Sequence, residues 1–65
     1  MNKEELNKVF DWLEENMNKQ GFYYFRMSEV NQITAYWRVD KKPFAQFYIK
    51  PILKLIEERG NENSK

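Results

Sequence analysis

The chain has 65 residues, a formal net charge of +1, and neither Cys nor His. A chain this short makes one domain and buries only ~60% of its unfolded surface, so its core must be well packed. The missing Cys and His exclude disulfide staples, thiolate nucleophiles, Cys-type metal sites and the commonest general base, and carboxylate or Lys catalysis needs a cleft that is hard to build at this size.

Residues 3–19 read as an amphipathic helix. Leu6, Val9, Phe10, Leu13 and Met17 recur at helical spacing, with Glu4, Lys8, Asp11 and Glu15 opposite them. Asn2 suits the N-cap, Glu5 the carboxylate of a capping box, and Gly21 the C-terminal stop. Trp12 falls at the edge of the apolar stripe.

Residues 22–50 are crowded with aromatic and β-branched side chains, which suit a pleated, half-buried surface and lose rotamer freedom in a helix. The pattern predicts a three-strand antiparallel meander over residues 22–28, 33–39 and 44–50. Asn31-Gln32 and Asp40-Lys41-Lys42-Pro43 supply the turn chemistry. Pro51 then takes the first position of a second helix, where its absent N–H costs nothing. Ile52, Leu55 and Ile56 form the stripe of that helix, and Gly60 ends it. The expected fold class is α+β in the order α-β-β-β-α, with both helices on one sheet face. A single domain spans residues 1–60 and a disordered polar tail residues 61–65.

An all-α, tri-helical helix-turn-helix is the alternative. Ser28 would cap a helix through Trp37, and a third helix would run over residues 43–59. The ending Leu55-Ile56-Glu57-Glu58-Arg59-Gly60 resembles the end of the recognition helix in winged-helix regulators. Inside a long helix, however, Pro51 costs ~3 kcal/mol. Residues 28–37 also hold one Ala and no Leu, a poor helix composition. The meander is the favoured reading.

Alternation along the strands sends Tyr23, Phe25, Met27, Ile33, Ala35, Trp37, Val39, Ala45, Phe47 and Ile49 toward the helices. Trp37 is expected in the core against Phe10, Leu13 and Phe47. The other face carries Phe22, Tyr24, Arg26, Thr34, Tyr36, Arg38, Phe44, Gln46, Tyr48 and Lys50, with no acid. The faces coincide only if the connections have odd length or contain a bulge. Five-residue connections over 28–32 and 40–44 satisfy this and set Tyr24, Tyr36 and Tyr48 in one row.

Charge is segregated along the chain. Residues 18–54 hold seven basic residues against two acids, a balance of +5, while the remainder holds four against eight, or −4. An aromatic, basic sheet face has a physical use: bases stack on aromatic rings, and Arg and Lys contact phosphates. The candidate contact residues are Tyr24, Arg26, Tyr36, Arg38, Lys41, Lys42, Tyr48 and Lys50. The expected function is a small non-enzymatic binding protein that contacts nucleic acid through this face. The alternative is a protein-interaction module, a small inhibitor or a homodimer, using the same face, since Tyr and Arg also dominate protein interfaces. Exposed Tyr is, equally, simply a good strand former.

Lys19-Gln20-Gly21-Phe22-Tyr23-Tyr24-Phe25 is similar to the Gly-aromatic strand motif of RNA-binding sheets, without its small residue between the aromatics. The element order resembles that of double-stranded-RNA-binding domains, but Lys50-Pro51-Ile52 stands where their basic Gly-Lys-Lys segment belongs. No family is assigned on these grounds. The pairs Glu4/Glu5, Glu14/Glu15 and Glu57/Glu58 read as solvated helix surface. No catalytic residue, metal site or cofactor is expected. No apolar run reaches the ~20 residues of a membrane helix, so no membrane partner is expected. The start Met1-Asn2-Lys3-Glu4-Glu5 is unlike a signal peptide, and the expected compartment is the cytoplasm.

Overall fold

The computed structural model describes the backbone of residues 2–63 and the side chains of residues 2–59. The element order is α1 (Lys3–Met17), β1 (Tyr23–Glu29), β2 (Gln32–Trp37), β3 (Pro43–Tyr48) and α2 (Ile49–Asn63), an α+β arrangement. The helix-turn-helix alternative is thereby set aside. Asn2 caps α1, its Oδ1 accepting from the Glu5 N–H at 2.9 Å, and Glu4 and Glu5 place negative charge at the positive end of the helix dipole.

The helix stops at Met17, two residues sooner than expected, because Asn18 takes over. Its side chain is buried and pairs with β1 much as a strand neighbour would. Oδ1 accepts the Tyr23 N–H at 3.0 Å and Nδ2 donates to the Tyr23 carbonyl at 3.0 Å, while Nδ2 also donates to Glu14. Gly21, at φ +78°, supplies the left-handed residue that turns the chain, and its N–H donates to the Asn18 carbonyl at 3.0 Å.

The sheet is antiparallel in the order β1-β2-β3. Met27 opposes Ile33, and a bulge at Ser28 lets Glu29 oppose Gln32, leaving Val30-Asn31 as a tight turn. On the other side Ala35 opposes Ala45, and a second bulge at Phe44 lets Tyr36 oppose Pro43. The β2–β3 connection closes where the Lys41 N–H donates to the Trp37 carbonyl at 2.8 Å and the Trp37 N–H to the Lys42 carbonyl at 3.0 Å. It therefore begins two residues earlier than the sequence suggests, so Arg38 and Val39 belong to the turn and not to a strand. Lys41 is left-handed there, at φ +61°.

The second helix also starts early. Asn31 satisfies its first donors from across the β1–β2 turn. The Ile49 N–H donates to the Asn31 carbonyl at 3.0 Å, and the Lys50 N–H to Asn31 Oδ1 at 3.1 Å. Pro51 is thus the third helical residue, still in the turn where an N–H has no intrahelical partner. Lys50 lies in α2 and not in β3, and α2 runs through Asn63, past Gly60. The tail expected over residues 61–65 otherwise lies outside the described residues at 64 and 65.

The core is small. Val9, Leu13, Ile33, Ile49 and Ile52 are buried, and Leu6, Phe10, Trp12, Phe25, Phe47, Leu53 and Ile56 pack around them. Ile49, Ile52, Leu53 and Ile56 follow helical spacing, so the stripe of α2 is centred on its first turns and Leu55 faces outward, 47% exposed. Trp37 corrects the expectation of a core tryptophan. It is half-buried and sits at the opposite end of β2 from Ile33, ~13 Å along the strand, packed on Tyr23 and Phe44 and not on the core cluster.

Candidate nucleic-acid interface

Both helices pack on one side of the sheet, leaving the other side open. There Tyr24 and Tyr36 oppose each other in the β1–β2 register and stack with ring centroids 5.2 Å apart and planes 16° from parallel. Arg26 follows on β1, opposite Thr34. Thr34 belongs to this uncovered face yet is only 4% exposed, because cross-strand side chains close over the central strand. Its hydroxyl donates to Ser28 Oγ at 2.8 Å, and Ser28 donates to the Gln32 carbonyl at 3.3 Å. Gln32 Nε2 donates to Gln46 Oε1 at 2.8 Å. Such a network fixes the floor of the face.

The expected eight residues do not form one site. The tyrosine row fails at Tyr48, which opposes Gln32 and lies four positions along β2 from Tyr36. Because the second turn closes at Trp37 and Lys42, the β3 register is displaced from the one that would align the three rings. Lys50 is at that same far end, on α2. The bulge at Ser28 also turns Glu29 onto the face of Gln32, so the face is not free of acid as expected. Tyr24, Arg26 and Tyr36 share the uncovered face, while Arg38, Lys41 and Lys42 belong to the 38–42 turn at the Tyr24–Tyr36 end of the sheet.

Arg38 differs from its expected place on the central strand. Its backbone N–H donates to the Phe22 carbonyl at 2.9 Å, and its Nε to the Tyr23 carbonyl at 2.9 Å. One of its five donors is therefore committed to holding the sheet end together. Asp40, the one acid of the turn, has its Oδ1 occupied by the Lys42 N–H at 3.0 Å.

Phe44 moves the other way. The bulge carries its ring off the open face to the helix side, where it stacks on Tyr23 at 5.0 Å and meets Trp37 edge-on at 4.8 Å. With Tyr23–Trp37 at 4.7 Å this makes an aromatic cluster that the sequence reading did not single out. Pro43 was the available signal, since proline in a strand marks an edge or a bulge.

No protein-family model matches this chain, and neither a curated protein nor a solved structure is similar to it. Among the described residues no group of three or more acidic side chains is placed to hold a metal ion, and no helix is long and apolar enough to cross a membrane.

Proposed function

We propose that this chain is a small non-enzymatic binding protein that contacts single-stranded nucleic acid through the end of its open sheet face. The observation that carries the reading is the parallel Tyr24–Tyr36 stack on a face that neither helix covers. Ring faces accept any base, at ~1–3 kcal/mol per stacked base, and an unpaired strand can splay its bases onto them. Arg26 follows Tyr24 on the same strand face, and the adjoining 38–42 turn adds Arg38, Lys41 and Lys42 against one carboxylate, Asp40, so cations for phosphates outnumber acids at this end.

A titration of a fluorescent oligothymidine and of a duplex of the same length tests this. Binding to the single strand should weaken with salt at a log–log slope of ~−0.7 per phosphate contacted. Arg26→Ala should lower the slope by about half a unit to one unit, while Tyr36→Ala should weaken binding without changing it, because stacking releases no counterions. No binding at high micromolar protein and low salt overturns the reading. Self-association that Tyr36→Ala abolishes would instead assign the face to protein contact.

A further inference from the structure

The helix-facing side of the sheet is only partly covered. At the end where α1 stops, Met17 is 41%, Phe44 51%, Phe22 54% and Val39 89% exposed. Between Met17 and Phe44 opens a cavity of about 190 Å³, floored by Phe25, Ala35 and Phe47 and walled by Tyr23. It has room for one large apolar side chain and lies next to the Tyr23–Trp37–Phe44 cluster. Single exposed apolar residues are ordinary, but here Met17 and Phe44 flank a concave aromatic floor and Phe22 and Val39 line the adjoining depression beside Trp37, a cluster that marks an interaction site.

Its surroundings are basic. Lys19 lines a depression with Met17, Phe22 and Tyr23, and Arg38 lines another with Phe22, Trp37 and Val39. Lys41 and Lys42 immediately precede Pro43 and Phe44. Against these four cations stand two carboxylates, Asp40, with one oxygen bonded by the Lys42 N–H, and Glu14, with one oxygen bonded by Asn18, so the surroundings keep a positive balance.

We propose that this cavity docks an acidic peptide segment of a partner protein, which inserts one aromatic or branched aliphatic anchor between Met17 and Phe44 while its carboxylates face Lys19, Arg38, Lys41 and Lys42. The cavity lies on the opposite side of the sheet from the Tyr24–Tyr36 stack, but the turn cations Arg38, Lys41 and Lys42 stand at the sheet end and are shared with the nucleic-acid reading, so the Tyr36→Ala and Met17→Gln variants are what separate the two. A second copy of this chain does not fit by a symmetric, patch-to-patch contact. A two-fold contact through the patch would set like-charged rims against each other. The concavity favours a side chain over a lipid surface, which meets protruding groups.

The test uses a synthetic amphipathic peptide of about twelve residues built from Leu, Phe, Asp and Glu. A control peptide has Lys in place of every acid, and vesicles of phosphatidylcholine with one-third phosphatidylserine form a second arm. Amide and Trp37 indole shifts are followed by NMR. The acidic peptide should bind at ~100 μM or tighter, with shifts centred on Met17, Phe22, Trp37 and Phe44. Phe44→Ser and Met17→Gln, each checked for a native amide spectrum, should weaken it at least ~10-fold, the effect of losing an anchor contact. Met17 is a surface position, so its variant remains informative if Phe44→Ser unfolds. Tyr36→Ala should leave peptide binding unchanged even where it removes oligonucleotide binding. No shifts at ~1 mM peptide, equal binding of the Lys control, vesicle binding without peptide binding, or wild-type affinity in Met17→Gln would each overturn the proposal.

Discussion

Asn18 is the single residue on which most local structure converges. Its side-chain amide meets both backbone groups of Tyr23 and Glu14, in a buried position. Asn18→Ala strands the Tyr23 N–H and should cost ~2–3 kcal/mol, and Asn18→Asp should cost at least as much, since a carboxylate cannot donate to the Tyr23 carbonyl. Urea unfolding of both variants checks this. Trp12 presents the opposite case, a buried Nε1 with no acceptor among the described residues. Removing an orphaned donor offsets lost packing. Trp12→Phe should therefore stay within ~1 kcal/mol of the wild type, while Trp12→Ala should lose ~3 kcal/mol. Trp37, stacked but half-buried, should tolerate Trp37→Ala with the domain still folded. Near-ultraviolet circular dichroism and amide dispersion report the outcome.

Two bulges and a left-handed lysine set the relation between elements. Each bulge adds one residue to a strand and re-aims the side chain beyond it. At Ser28 the residue re-aimed is Glu29, and at Phe44 the phenylalanine itself changes face. The 38–42 turn needs a positive φ at Lys41, a conformation that costs a side-chain-bearing residue ~1 kcal/mol. Lys41→Gly should therefore raise stability by ~0.5–1 kcal/mol, read as a higher urea midpoint at unchanged slope. The same variant removes a cation and should weaken oligonucleotide binding, so stability and affinity move in opposite directions. At the start of α1, Asn2→Ala should lower stability by ~1 kcal/mol through loss of the bond to the Glu5 N–H.

At the scale of the molecule, five buried apolar side chains centre the core and hold three layers of contact: α1 on α2, and both on the Ile33 end of the sheet. A domain of this size carries roughly 3–10 kcal/mol of stability. Leu13 is fully buried, and Leu13→Ala should cost ~3–4 kcal/mol, enough to leave much of the population unfolded at 25 °C. Circular dichroism melts of this variant, against a surface control such as Lys8→Ala, decide it. The concentration of core at one end leaves the other end of the sheet, from Tyr23 to Phe44, without cover, and both proposed binding surfaces lie there on opposite sides of the strands.

The sequence by itself determined the elements. Helical spacing of Leu6, Val9 and Leu13, the Asn2 cap, β-branched and aromatic crowding, and Pro51 are local signals, and local signals fix element type and order. Alternation also put Tyr24 with Arg26 on one face of β1, and Tyr36 on the face of β2 turned away from Ile33 and Ala35, because side-chain period is a property of each strand alone; that the two faces coincide is a matter of register. Tertiary structure decided the rest. Whether Tyr48 joins the tyrosine row, whether Glu29 reaches the open face and whether Phe44 leaves it depend on register. Register is set by where each connection closes, Asn18 on Tyr23 and Trp37 on Lys42, and by the longer-range bond of Ile49 to Asn31, none of which composition or alternation specifies. A displaced register or a single inserted residue changes which side chains meet across the sheet while leaving composition and pattern untouched.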